Sequence, residues 1–532
     1  MDKTRQFLWL GDEAVGQAAI DAGISGVYAY PGTPSTEITE YIQQSAEARQ
    51  AGIRSDWSCN EKAAMEEALG MSFAGRRALV CMKHVGLNVA ADAFINAAIT
   101  GAHGGLVVVA VDDPSMHSSQ NEQDSRFYGS FAQVPFFEPS NQQEAYDIVL
   151  HAFDVSERHA VPVLVRMTTR MAHSRANVER RVERPQPQKP LKYPSDPRRF
   201  VLLPSIARRN YAELLTKTKL FEEESEHSPY NVFEEGADRS LGIVACGIAI
   251  NYIREVYPEG RCPHPVLKIS QYPVPRRKLA RMMELCEAVA VFEDGYPLVE
   301  DLLRGVTPAG AHVRGRLSGL LPRAGELHPE VVATALSRPL PPLAEVPPEV
   351  VARSPTLCPG CPHANAFDFL KEAMGHYPKG RVFSDIGCYT LGALPPYEII
   401  NSCVDMGASI TMARGAAEAG IHPSVAVIGD STFTHAGMTG LLDCVEGRTP
   451  VTVIILDNFT TAMTGGQPTP AAGRLEQIVT GIGVEPSHVH VVEPLPARHQ
   501  ANLEILKREL EYQGPSVIIA RRPCVQVAKR SS

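Results

Sequence analysis

Short β-branched runs bounded by turn residues are the feature that most restricts this chain. "ALVCMK" (78–83), "GGLVVVAVDD" (104–113), "SVAVIGD" (424–430) and "VTVIILDN" (451–458) are of this kind. Between such runs lie helical patterns rich in small residues, for example "EKAAMEEALGMSFAG" (61–75) and "LNVAADAFINAAITG" (87–101). Strands alternating with helices of that length predict a mostly parallel sheet covered on both faces. The same grammar recurs in "LGIVACG", "AINYIREVY", "HPVLKIS" and "AVAVFEDG" (241–295), and again from "VFSDIG" (382–387) onward. The expected fold class is α/β with several doubly wound domains.

Two proline-rich stretches, "RRVERPQPQKPLKYPSDPRR" (180–199) and "LSRPLPPLAEVPPEVVARSP" (336–355), read as extended connectors. They predict domains at 1–180, 240–335 and 356–526, a linker and bridging segment at 181–239, and a linker at 336–355. A net charge of −9 with no long basic run speaks against nucleic acid as a partner. No apolar stretch approaches the length of a membrane span, and the N-terminus lacks the apolar core of a signal peptide. Eleven cysteines without an export signal point to a reducing cytoplasm rather than a disulfide framework.

The first and third domains share an order of small-residue helix, strand, Gly-containing loop, helix and strand. Lys83 and Asp113 are 30 residues apart, and Asp430 and Asn458 are 28 apart. All parallel α/β units share some of this pattern; the alternative is two related sheets facing each other across a cofactor. Gly429-Asp430 ends one buried strand, and Asp457-Asn458 ends the next. A carboxylate oxygen from Asp430, an amide oxygen from Asn458 and a backbone carbonyl from Thr460 would give three converging oxygens, a set that suits Mg²⁺ beside phosphate. "CPGCPH" (358–363) adds a C-x₂-C pair. That spacing alone leaves zinc, an iron–sulfur cluster and a redox dithiol open.

"GDSTF…LDNFTTAMTGGQ" (429–467) resembles the signature of thiamine diphosphate enzymes, and in particular the 2-oxoacid:ferredoxin oxidoreductases. The likeness continues through "YPGTPSTEI" (30–38), "NEKAAMEEALG" (60–70), "MKHVGLNVAAD" (82–92), "HSSQNEQDSRFYGSFAQVPFFEPS" (117–140), "CPGCPH" and "SDIGCYTLG" (384–392). Taken together these motifs resemble the large, alpha-type subunits of indolepyruvate ferredoxin oxidoreductases over nearly the whole chain. The resemblance implies a pyrimidine-binding first domain, a transketolase-C-terminal-like middle domain, and a diphosphate- and Mg-binding third domain. It places Glu61 where a carboxyl bonds the cofactor's pyrimidine nitrogen, favouring the imino tautomer that removes the thiazolium proton. Glu66 and Glu67 lie further into the same helix and are expected to face solvent. Gly429, Asp430, Ser431, Asn458, Asp405 and Gly407 are the implied cofactor contacts. Thr33, Lys83 and His84 are candidate substrate contacts.

The resemblance also implies one 4Fe–4S cluster. Cys358 and Cys361 supply two thiolates; Cys388 in "SDIGCYT" matches the third, and Cys524 in "GPSVIIARRPCVQV" the fourth. The remaining seven cysteines read as core. The implied reaction is oxidative decarboxylation of an arylpyruvate, such as indolepyruvate or phenylpyruvate, to its coenzyme A thioester. A non-redox thiamine decarboxylase or synthase with a structural metal is the alternative. The implied partners are a smaller beta-type subunit and ferredoxin or another electron carrier, in a hetero-oligomer containing a dimer of this chain. Large subunits of this family normally continue into a ferredoxin-like tail. Here the sequence ends eight residues after Cys524 without a repeated cysteine run. The onward electron route is therefore expected in another polypeptide, or directly to the acceptor.

Overall fold

The computed structural model describes residues 6–196, 198–257, 262–305, 312–339, 346–351 and 355–530. Part of the second proline-rich linker, residues 340–345 and 352–354, lies outside the described residues. The chain divides into two compact units, Met1–Glu345 and Val346–Ser532.

The first unit is built on a seven-stranded sheet. Its spatial order is Gln271–Tyr272, Phe136–Phe137, Val163–Thr168, Leu106–Asp112, Ala78–Lys83, Gly26–Ala29 and Arg54–Trp57. All neighbours are parallel except Gln271–Tyr272, which runs antiparallel to Phe136–Phe137. Alternate residues of one strand enter two different cores. Leu79 and Cys81 pack into one, and Ala78, Val80 and Met82 into the other. This is the physical reason for the near-continuous apolar runs: neither face of the strand meets water.

A second, five-stranded sheet has the order Val313–Arg314, Val289–Phe292, Gly242–Cys246, Val266–Ile269 and Phe233–Glu234. Ile243 and Ala245 share the first sheet's one core, and Val244 and Cys246 its other. The contact between the sheets is also polar: Arg126 donates to Glu293 Oε2 at 3.0 Å, and Arg166, which pairs with Asp112 within the first sheet, donates from Nη2 to the Asp294 carbonyl at 2.8 Å, all fully buried. Removing one partner of such a pair costs about 3–5 kcal/mol because the other charge is stranded. The bridging segment forms a helix, Pro204–His227, whose Leu214 and Phe221 pack into the second core.

The second unit is built on a six-stranded sheet whose strands are all parallel, in the order Ser402–Cys403, Arg381–Ser384, Ser424–Gly429, Val451–Asp457, Ser516–Arg521 and Val489–Val492, with a separate antiparallel pair, Thr460–Thr461 and Gln467–Pro468. Val425 and Val427 face one core, and Ala426 and Ile428 the other. Among the described residues no helix is long and apolar enough to cross a membrane.

Candidate functional site

In the second unit the carboxyl ends of the central strands carry the chemistry, as open α/β sheets require. Asp430 follows strand Ser424–Gly429 and is 2% exposed. Its Oδ1 accepts the Ser431 N–H at 2.9 Å, while Oδ2 receives no hydrogen bond from any described residue. Burial pushes this carboxyl up to about 7, and the nearby Asp457 adds to the effect. Asp457 accepts from Arg521 Nε at 2.6 Å on Oδ2, but its Oδ1 is likewise buried without a described donor. Asn458 Oδ1 accepts the Thr460 N–H at 3.1 Å. Phe459 between them has φ +64, a costly conformation for an aromatic residue. This turn brings the Phe459 N–H to the Asp430 carboxylate. The Thr461 hydroxyl meets Ser431 Oγ at 3.0 Å. Two orphaned buried carboxylate oxygens beside an amide oxygen are hard donors that a small divalent cation would satisfy, so the residues present fit Mg²⁺.

A third strand end contributes Asp385, which accepts from Ser409 Oγ at 2.6 Å and from the Tyr389 hydroxyl. Burial raises its carboxyl to about 7. Gly407, at φ +92, donates its N–H to Asp385, and a Cβ there would stand 2.6 Å from Ala436 Cβ. Only glycine fits that approach. Asp405, two residues earlier, is exposed. Gly429 meets the Tyr389 ring, 2.7 Å from where its Cβ would be.

Next to Asn458 lies a cavity of about 300 Å³, lined among others by Cys358, Cys361, Cys388, Cys524 and His363. Cys361 caps helix Pro362–Met374, Cys388 opens the turn Cys388–Ala393 beyond strand Arg381–Ser384, and Cys524 follows strand Ser516–Arg521. All four are free thiols. Burial, then the neighbouring Cys361, Cys524 and Cys358, pushes Cys388 up to about 12. Four thiols cannot ionise together in such a place without a cationic core to bind them. The donor set fits a metal centre held by four thiolates, an iron–sulfur core or a zinc ion. His363 links the two sites: its Nε2 is 3.4 Å from Asn458 Nδ2, and burial lowers its pKa to about 4, so the ring is neutral.

In the first unit, Glu61 opens helix Glu61–Phe73, with Asn60 as its cap accepting the Ala63 N–H at 2.8 Å. Glu61 is buried, whereas Glu66 and Glu67 are exposed. Its side chain packs on Gly86, where a Cβ would meet Glu61 Oε1 at 2.7 Å. Gly86 belongs to the same loop-to-helix junction as Lys83 and His84. Lys83 Nζ donates to the Ser118 carbonyl at 2.6 Å, and burial lowers its pKa to about 8. His84 Nε2 lies 3.2 Å from Asn121 Oδ1. Thr33 sits in a turn closed by the Ser35 N–H on the Gly32 carbonyl at 2.9 Å. Gly32 abuts Lys83, with 3.4 Å from a notional Cβ to Lys83 Cβ, so Thr33 and Lys83 stand on adjacent turns.

Residues 17–228 match the family described as "Pyruvate flavodoxin/ferredoxin oxidoreductase, thiamine diP-bdg". Residues 385–520 match "Thiamine pyrophosphate enzyme, C-terminal TPP binding domain". The indolepyruvate oxidoreductase subunit IorA of Archaeoglobus fulgidus is 38% identical over 98% of this chain and 87% of its own length. That of Methanothermobacter marburgensis is 40% identical with the same coverage. The chain belongs to the indolepyruvate oxidoreductase IorA family. A 2-oxoglutarate:ferredoxin oxidoreductase from Magnetococcus marinus shares the fold, with a TM-score of 0.50 and 17% identity, over 63% of this chain and 66% of that one.

An IorA-family chain is a subunit of a thiamine diphosphate-dependent 2-oxoacid:ferredoxin oxidoreductase. Its matched regions are the pyrimidine-type and diphosphate-type cofactor domains expected from the sequence. Three site residues escaped the sequence reading. His363 was signalled only by its place after the C-x₂-C pair, Asp457 only by standing before Asn458, and Asp385 only by its strand end. One expectation is corrected. Of the seven cysteines read as core, Cys81, Cys246, Cys286 and Cys444 are buried, but Cys59 and Cys262 are half-buried and Cys403 is exposed. Cys403 ends a two-residue strand at the edge of the sheet.

Proposed function

We propose that this chain carries out the oxidative decarboxylation of an arylpyruvate, such as indolepyruvate or phenylpyruvate, to the coenzyme A thioester and CO₂. The two electrons leave one at a time through a single 4Fe–4S cluster to ferredoxin or another carrier. The relatives' names support the substrate class, and the meeting of the Cys358–Cys361 pair with the sequence-distant Cys388 and Cys524 beside Asn458 is the observation that carries the redox reading. Thiamine diphosphate, when bound, supplies the carbon nucleophile and electron sink for decarboxylation. Iron–sulfur chemistry supplies the one-electron acceptor.

The chain's own residues then have distinct tasks. Glu61 holds a proton against the cofactor's pyrimidine nitrogen. Asp430, Asn458 and Thr460 hold Mg²⁺, and Gly429, Ser431, Gly407 and Asp405 border the diphosphate and the middle of the cofactor. Lys83, still largely protonated at neutral pH, can take the substrate carboxylate, with Thr33 and His84 beside it. Cys358, Cys361, Cys388 and Cys524 ligate the cluster, and His363 spaces it from Asn458. The three-domain division at 1–180, 240–335 and 356–526 belongs to this reading. So do a smaller beta-type subunit that completes coenzyme A-dependent turnover, a hetero-oligomer containing a dimer of this chain, and a cytoplasmic location.

The deciding experiment is purification without oxygen followed by metal and sulfide analysis. About four irons and four sulfides per chain are expected for one such cluster. Stoichiometric zinc without iron would sink the redox reading.

A further inference from the structure

A separate group of side chains in the first unit is outside everything assigned above. Asp12, Glu37 and His173 each offer a ligand atom, and these atoms lie within 4.8 Å of one another. Asp12 is in the first turn of helix Gly11–Asp21, Glu37 in the first turn of Thr36–Gln44, and His173 ends Thr169–His173. The three segments follow strands Gln6–Leu10, Gly26–Ala29 and Val163–Thr168, so the group forms where three strand-end loops meet.

Asp12 decides what the group can be. It is fully buried, yet neither Oδ1 nor Oδ2 receives a hydrogen bond from any described residue. Glu37 Oε2 and the buried Thr36 Oγ1 are in the same condition. His173 Nε2 approaches Glu37 Oε2 at 3.5 Å. A buried carboxylate without a donor is strongly disfavoured. The charges pressing on Asp12 are Glu37 and Glu13, both of its own sign, and its carboxyl is driven well above the usual range by burial first. Two occupants can satisfy these oxygens: a proton shared between Asp12 and Glu37, or a cation. The imidazole and the extra hydroxyl argue for the cation. A shared proton leaves the hydroxyl unused and the imidazole bound to Glu37 only at 3.5 Å, whereas two carboxylates, one imidazole and a hydroxyl form a neutralising set for a divalent ion. Imidazole among the donors favours a borderline transition ion over Mg²⁺.

We infer that Asp12, Glu37 and His173, with Thr36 beside them, form a binding site for a divalent transition-metal ion such as Mn²⁺ or Zn²⁺. The ion would tie the Gly32–Thr36 turn, which carries Thr33, to the two neighbouring loops. Its role is to position that turn.

Mn²⁺ is the probe. Asp430→Asn silences the diphosphate-side cation site, so that Mn²⁺ bound to this full-length variant reports the new site alone. Pulsed EPR on anaerobic protein should show one Mn²⁺ per chain with coupling to an imidazole nitrogen. Adding Asp12→Asn should weaken binding at least tenfold while preserving the fold, because its amide can donate to Glu37. His173→Gln should abolish the nitrogen coupling. No bound Mn²⁺, bound Mn²⁺ without nitrogen coupling, or binding indifferent to both substitutions would overturn the inference. An infrared carboxylic-acid band that vanishes in Asp12→Asn and is unmoved by Mn²⁺ would assign the site to a shared proton instead.

Discussion

Asp430→Asn should make the cofactor-free protein more stable while destroying its hold on Mg²⁺. The carboxyl is buried, and its pKa rises from an ordinary 3.8 to about 7 in the fold. A group with a higher pKa folded than unfolded binds its proton more tightly in the folded chain. Its contribution is therefore fully present below about pH 4 and is lost as pH rises toward 7. At about 1.4 kcal/mol per unit, the loss is roughly 4 kcal/mol at pH 8. An asparagine carries no charge, and its amide places donors near Asp457, whose Oδ1 has no described donor. Some of the gain will go into reorienting that amide, so about half is a safe expectation. Each kcal/mol moves Tm by about 2–4 °C in a domain of this size, which predicts a rise of roughly 4–8 °C at pH 8. The difference should fall by half or more at pH 5, where the native carboxyl is already protonated. Differential scanning calorimetry of metal-free protein at the two pH values measures this directly. Added Mg²⁺ and thiamine diphosphate should then stabilise the parent but not the variant. A variant less stable than the parent at pH 8, or a gain of the same size at both pH values, would refute the reasoning.

Three further outcomes are expected. Glu61→Gln should keep thiamine diphosphate affinity in calorimetry but lower turnover by at least ~10²-fold, the usual size of a lost acid–base group; near-normal turnover would remove Glu61 from the chemistry. Cys524→Ser should lose most iron and the visible absorption of the anaerobic protein, and unchanged iron content would show that the ligand set is wrong. The chain alone should decarboxylate slowly and gain full coenzyme A-dependent turnover only with a smaller beta-type subunit, which a reconstitution assay tests; full activity of the isolated chain would exclude that requirement.

What could be read before any coordinates were known follows from where the information is stored. The central strands were legible because both of their faces are buried. Val80 and Val108 announce a covered strand whatever lies above and below them. That Asp430 and Asn458 follow strand ends was legible because strand ends and their spacing are local properties. The antiparallel addition of Gln271–Tyr272 to Phe136–Phe137 was not, since a two-residue pairing leaves no periodic trace. The Asp12, Glu37 and His173 group was invisible for a related reason. Its members lie on three separate segments, and only the order of strands in space brings them together. Cys403 was misread because an edge strand of two residues has no pattern to separate it from core.

The proposed cluster ligands have a consequence for how the protein is made. Cys358 and Cys524 are separated by 166 residues, with nearly the whole second unit between them. During synthesis the first pair of thiols emerges long before the last, and Cys388 and Cys524 reach the pocket only once their strands have joined the sheet. A metal core cannot nucleate such a unit as zinc nucleates a small finger. The polypeptide must first assemble its own sheet and then receive the iron and sulfide as a late delivery. Cells short of iron would thus accumulate a folded, colourless precursor rather than an unfolded one, and maturation would depend on a donor reaching the pocket before its reduced thiols are oxidised.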